Sequence, residues 1–224
     1  APRAVMALGA LVAVAGLAAA VLADPHALLQ PLGPEGHRAQ TIHENRQGII
    51  TVFADAPDDH RIYGGNVYDG RTNLDPQRNT NGLQRPILAT VMHPHPRRVL
   101  MVGLSIGSWL ALIREFPGIE SIDVVEINPG YVAAMQAYPA QRAALRDPRV
   151  RLVVDDGRRW LRANPQRQYD VVVMNTSLHW RANATMLLSR EQLELLRRHM
   201  APGAILAYNA TSSPDAFYTA TRVF

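Results

Sequence analysis

The chain opens on an unbroken apolar run. Residues Ala4 to Ala23 carry no charge and lie between Arg3 and Asp24. A helix of that length spans roughly 30 Å, the depth of a bilayer core. The run has no polar face, which argues against a buried helix of a soluble domain. Small residues at four-residue spacing, Gly9/Ala13 and Gly16/Ala20, would let the helix pack closely on others. The expectation is a transmembrane helix within 1–24, the last of a larger membrane region. A signal peptide is the competing reading, because "VLA" before Asp24 resembles a cleavage site.

Residues 25–46 are rich in Pro, Gly and His and read as a linker. The pattern then changes. "GIITVFAD" is β-rich, "DAPDD" is a turn, and "RIYGGNVYDG" is a strand pair broken at Gly64-Gly65, which together predict a small antiparallel sheet. "TNLDPQRNTNG" is a loop, and Leu83–Met92 is a helix that admits Pro86 in its first turn. From Arg97 onward apolar runs alternate with helical stretches. The strands are "RRVLMVG", "SIDVVEI", "VRLVV", "YDVVVM" and "AILAYNA"; the helices are "SWLALIREF", "GYVAAMQAY", "GRRWLRA" and "EQLELLRRHM". Asn128-Pro129 starts one helix, and Ser189 to Gln192 is a capping box that starts another. Strands apolar throughout are covered on both faces. The fold class is therefore α/β, a Rossmann-like doubly wound mostly parallel sheet, with ligands at the carboxyl ends of its strands. The domains expected are 1–24 (membrane helix), 25–96 (linker and small β domain) and 97–224 (nucleoside-binding domain). "TATRVF" ends the chain without a closing turn, so truncation is expected there.

Composition narrows the chemistry. The formal charge of +4 is modest; all 23 basic residues are arginine and are scattered, so nucleic acid is not an expected partner. The absence of Cys excludes disulfides, thiolate metal sites and a Cys nucleophile. The absence of Lys excludes a P-loop. His93 and His95 each precede proline, which favours a rigid turn over a metal site. No metal is expected. The N-x-S/T matches at Asn175, Asn183 and Asn209 are read as chance.

Gly103-Leu104-Ser105-Ile106-Gly107 fits G-x-S-x-G, the nucleophile elbow of serine hydrolases. Asp170 and His199 would complete a triad, but they fall at the start of a strand and the end of a helix, at the wrong edge of the sheet. The alternative is a nucleoside loop, and the next two strand tips favour it. Glu126 ends the second strand, where a carboxylate can accept both ribose hydroxyls. Asp155-Asp156-Gly157 follows the third, where a carboxylate can accept from an adenine amino group. The loop is not a full G-x-G-x-x-G, so an adenosine sulfonium compound fits better than a dinucleotide. Ser105 then reads as a small loop residue, not a nucleophile.

The segments "RRVLMVGLSIGSW", "IDVVEINPGY", "DPRVRLVVDDGRRWL" and "YDVVVMNTS" together resemble the spermidine synthase family, the polyamine aminopropyltransferases. The hairpin "GIITVFADAPDDHRIYGGNVYDG" resembles that family's small N-terminal β domain, and the leading apolar run matches its membrane-fused variants. The resemblance implies a transferase of polyamine biosynthesis. It would move an aminopropyl group from decarboxylated S-adenosylmethionine to an amine such as putrescine. It implies Glu126 on the ribose, Asp156 on the adenine, and Gly103 and Gly107 shaping the loop. A homodimer is a family habit. Three positions depart from the family. Ile106, Asn175 and Leu178 stand where the family keeps carboxylates, and Asn175 cannot serve as a base. His179 follows the same strand and titrates in a range suited to base work, against a reading of it and Trp180 as loop packing. Asn175 and His179 are thus the candidates at the catalytic position. Tyr63, Tyr68 and Asp69 are candidates for the acceptor side, against core or turn roles. Two other functions stay open: an S-adenosylmethionine-dependent methyltransferase, and an inactive nucleoside-binding module. The expected location is the inner or plasma membrane, with the soluble domain facing the cytoplasm. With Arg3 inside, that orientation requires further helices before Ala1.

Overall fold

The computed structural model describes residues 2–22, 36–175, 178–181 and 184–224. The linker residues 25–35, Ala23 and Asp24 of the cleavage-like stretch, and Asn183 lie outside them. The chain divides into two compact units, residues 1–39 and 40–224. The first contains helix α1 (Pro2–Leu22). Within α1, Ala4–Leu22 is long and apolar enough to cross a membrane, with mean hydropathy 2.5, and its apolar side chains are exposed.

The second unit begins with an antiparallel sheet in the order β1 (Thr41–Asn45), β2 (Gly48–Ala56), β3 (Asp59–Gly64), β4 (Val67–Arg71). Strand β1 lies inside the stretch expected to be linker. Its polar composition hides it, but it pairs with β2 from Thr41 opposite Val52 to Asn45 opposite Gly48. The β3–β4 turn sits at Gly65-Asn66, one residue later than expected. Both residues have positive φ, 55° and 63°, as a two-residue type I′ turn requires.

Helix α2 (Gln84–Val91) leads into the main sheet. There β5 (Arg98–Val102), β6 (Ser121–Glu126), β7 (Val150–Val154), β8 (Tyr169–Met174) and β9 (Met200–Tyr208) run parallel in the order β7-β6-β5-β8-β9. The helices between them are α3 (Ser108–Ile113), α4 (Pro129–Met135), α5 (Pro139–Leu145), α6 (Gly157–Ala163), α7 (Ala184–Leu187) and α8 (Arg190–Arg198), and α9 (Pro214–Thr221) follows β9. The apolar strands bury both faces, as expected. Val99, Met101, Val171 and Val173 join one core; Leu100, Val102, Val172 and Met174 alternate into the other, with Trp160 and Leu161 of α6.

Two local expectations change. The helix expected to run on through Tyr138 stops at Met135, and Pro139 starts a separate helix, α5. The capping box at Ser189 is half formed: its hydroxyl accepts from the Gln192 amide, while the Gln192 side chain makes no return bond. The last residues form α9, capped by Ser213 with Pro214 in its first turn. His93 and His95 belong to a turn where the His95 amide donates to His93 Nδ1 at 3.2 Å.

Candidate functional site

The strand order reverses direction between β5 and β8. In a doubly wound sheet the crevice forms where the two outgoing connections diverge. The loop after β5 and the segment after β8 flank it. The Gly103 amide donates to the Val125 carbonyl and the Asn175 amide to that of Val102, at 2.9 and 3.0 Å. Gly103 has φ 87°, and a Cβ there would overlap the Asn175 carbonyl oxygen. Only glycine lets the two strand ends approach this closely. Gly107 precedes α3 in the left-handed region, as that helix's N-cap.

Glu126 organises the crevice. Its carboxylate, buried at the tip of β6, accepts from the Leu104 amide (2.7 Å) and the Asn128 amide (2.8 Å). It therefore fixes the glycine loop as well as facing the crevice. Each oxygen keeps a second lone pair for a ligand hydroxyl. Burial pushes its carboxyl up to about 7, against the pull of the Leu104 and Asn128 amides. Asp156 caps α6, accepting from the amides of Arg158 (2.8 Å) and Arg159 (3.2 Å). It also pairs with the Arg158 guanidinium, which holds it below the usual carboxylate range. Asp155 pairs with Arg159 at 2.5 Å. Both strand-tip acids thus already have local partners.

Two clefts meet here. The larger, about 470 Å³, is lined by Gly103, Ser105, Glu126, Asp155, Asp156, Gly157 and Asn175. Seven of the sequence-nominated residues are brought together. Gly107 shapes the loop without lining either cleft. The second cleft, about 380 Å³, lies among Tyr68, Asn81, Arg85, Ile106, Trp109, Leu178 and Thr211. Asp69, Ser105 and Asn175 line both. His179 lines neither. It is exposed, with its amide donating to Thr211 Oγ1 at 3.1 Å. Its Nδ1 lies 3.3 Å from the same Oγ1, and Thr211 lines the second cleft.

The antiparallel sheet supplies the wall the sequence marked only weakly. Asp69 accepts from the Tyr131 hydroxyl of α4 and pairs with Arg181 at 3.2 Å. Both bonds fall on Oδ2, and Oδ1 has no partner among the described residues. Burial raises its carboxyl above the usual range, against the opposing Arg181 charge. Tyr68 also lines the second cleft, whereas Tyr63 packs edge-on between Phe53 and Tyr68. The loop and sheet are tied directly. Ser105 Oγ donates to the Asp69 carbonyl and Ser108 Oγ to that of Arg71, both at 2.6 Å, and Asn45 Nδ2 donates to Asn128 Oδ1 at 2.8 Å.

These bonds settle the nucleophile question. The Ser105 hydroxyl is spent on a backbone carbonyl. Asp170 accepts from the amides of Arg97 and Arg98 at the opposite edge of the sheet, and His199 Nδ1 lies 2.9 Å from the Arg167 carbonyl. Among the described residues no group of three or more His, Cys, Asp or Glu could hold a metal ion.

Thr211, Ser212, Tyr131, Arg181 and Arg85 were not read from sequence as site residues. The run "NATSS" after the last strand was the available signal for the first two. Ser105, Thr211 and Ser212 have φ of 51°, 55° and 60°, all left-handed and all on the second cleft. Such strain gathers at binding sites, where surrounding structure enforces it.

Comparisons agree with this architecture. The chain is 30% identical over 172 residues to a polyamine aminopropyltransferase of Alkalilimnicola ehrlichii, covering 62% of this chain and 59% of that protein. It is 32% identical over 120 residues to putrescine N-methyltransferase 2 of Nicotiana attenuata, covering 53% of this chain. The chain spans 32% of that methyltransferase's length. Among solved structures, a spermidine synthase in complex with the transition state analogue AdoDATO superposes with a TM-score of 0.69 at 16% identity, covering 84% of this chain and 65% of that one. The spermidine synthase of Thermotoga maritima gives 0.64, also at 16% identity, over 84% and 63%. At that identity the structural likeness speaks for the fold. The spermine/spermidine synthase domain profile matches residues 87–217, more than half of the chain and all of the parallel sheet, and so the chain belongs to the spermine/spermidine synthase family.

Proposed function

We propose that the larger cleft binds the adenosine part of S-adenosylmethionine or its decarboxylated form. The second cleft then presents an amine to the carbon beside the sulfonium. The observation that carries this reading is the meeting of the two clefts at Asp69, Ser105 and Asn175, with Glu126 at the base of the first. Glu126 would accept from the ribose hydroxyls through its remaining lone pairs. Asp156, or its neighbour Asp155, would accept from the adenine amino group. In aminopropyl transfer the amine nitrogen forms a bond to the propyl carbon while the carbon–sulfur bond breaks. The electron pair stays on sulfur, leaving methylthioadenosine, and the amine loses a proton.

Asn175 cannot take that proton. Asp69 is the carboxylate common to both clefts, and its Oδ1 has no partner among the described residues. We assign it the proton acceptor's role. Its raised carboxyl means that turnover should climb with pH through a value above the ordinary carboxylate range. Asp69→Asn keeps the shape and an acceptor for Tyr131 but removes the base. It should lower kcat by at least about 10²-fold and abolish that limb of the pH profile. An Asp69→Asn enzyme with an unchanged profile rejects the assignment.

Methyl transfer is the second reading. It is favoured by the relatives that include putrescine N-methyltransferases and by the loss of carboxylates at Asn175 and Leu178. Incubation with either donor and a panel of amines separates the readings. Methylthioadenosine release marks aminopropyl transfer and S-adenosylhomocysteine release marks methyl transfer. Tight nucleoside binding without either product marks an inactive binding module. Helix α1 would anchor the domain to a membrane, with the domain facing the cytoplasm where such nucleosides occur.

A further inference from the structure

The charge of the second cleft does not suit a diamine. Among the described residues only two charged side chains line it, Asp69 and Arg85. Asp69 is already faced by Arg181 at 3.2 Å. The cleft as a whole is therefore cationic or neutral, while a diamine brings two positive charges. The sequence between β8 and α7 adds no acid: residues 175–183 read Asn-Thr-Ser-Leu-His-Trp-Arg-Ala-Asn.

Arg85 lines the cleft with its side chain exposed to solvent. Its guanidinium lies over Gly82, where a Cβ would sit 3.4 Å from Arg85 Nε. Burial raises the pKa of the Tyr68 hydroxyl, which lines the same cleft, and the charges of Arg71 and Arg85 oppose that rise. No carboxylate among the described residues pairs with Arg85, although Arg71, Arg78, Arg149 and Arg158 each have one close by. Ile106, another lining residue, is buried and apolar and brings no charge to the cleft. A guanidinium in this setting matches a carboxylate, which can take two parallel hydrogen bonds from its fork.

We propose that the second cleft binds a carboxylate through Arg85, so that one of the two substrates is an amino-acid-type molecule and not a simple polyamine. This rests on the reading of the first cleft as a nucleoside site. The carboxylate has two possible sources. It belongs either to the donor, which is then undecarboxylated S-adenosylmethionine, or to the acceptor, which is then an amine bearing its own acid group.

Calorimetry on the full chain, in detergent, separates these cases. Methylthioadenosine, which has neither tail, reports the nucleoside site alone and should bind wild type and Arg85→Gln equally. If the donor supplies the carboxylate, S-adenosylmethionine should bind about ten to a hundred times more tightly than its decarboxylated form, and Arg85→Gln should erase the difference. If the acceptor supplies it, 4-aminobutyrate should bind the methylthioadenosine complex better than putrescine by a similar factor, again erased by Arg85→Gln. Arg85→Lys should restore part of either preference. Binding of methylthioadenosine with no preference for a carboxylate in either arm, or a preference that Arg85→Gln leaves intact, overturns this inference alone. Failure of methylthioadenosine to bind overturns the nucleoside reading, and this inference with it.

Discussion

Burial holds the Glu126 carboxyl near 7 although two amides donate to it. A folded-state value above the ordinary 4.5 means that the native chain holds this proton more tightly than the unfolded chain does. The stability so gained is fully present below about 4.5 and is lost as pH rises through about 7. Glu126→Gln should therefore flatten that part of the decline in urea midpoint with pH. The ionised form is the better acceptor for ribose hydroxyls, so wild-type affinity for methylthioadenosine should rise across the same range. Calorimetry should show Glu126→Gln binding about ten to a hundred times more weakly at high pH. Equal affinity would remove Glu126 from the binding site. Its place at the tip of the second strand was legible from the apolar run that it ends. Its bonds to the glycine loop were not, since they depend on Leu104 folding back over β6.

At the scale of elements, the sequence marked those whose local signals and burial agree. Strand β8 and helix α6 occupy the residues expected of them, Tyr169–Met174 and Gly157–Ala163. The first is apolar on both faces, and the second has an aspartate at its N-cap. Strand β1 escaped notice because four of the five residues of "TIHEN" are polar and only its pairing with β2 makes it a strand. The glycine loop is the element most sensitive to a single methyl group. Gly103→Ala combines a left-handed φ with an overlap on the Asn175 carbonyl. It should cost about 2 kcal/mol or more and lower the melting temperature measurably. Its nucleoside affinity should fall as well, because β5 and β8 must part. A variant that melts with wild type would show that the strand ends are free to separate.

At the scale of the molecule, residues 40–224 make one compact unit in which the antiparallel sheet walls the clefts of the parallel one. A chain beginning at Gln40 should therefore unfold in a single transition, at the temperature of the full chain. Vesicle flotation should separate the two: the full chain floats through its apolar helix, and the shorter chain stays in solution. Loss of the cooperative transition would show that residues 1–39 support the fold.

Periodicity and strand-tip chemistry alone determined the parallel α/β fold, the glycine loop and the acids at the strand tips. Those features are written locally, in runs of apolar residues and in the residue that ends each run. The second cleft belongs to the tertiary structure. Asp69, Arg85, Leu178 and Thr211 come from four separate stretches, and no local pattern says that they face one another. Packing of the small sheet against the glycine loop joins them. That same packing gives Ser105 to a backbone carbonyl instead of a catalytic triad.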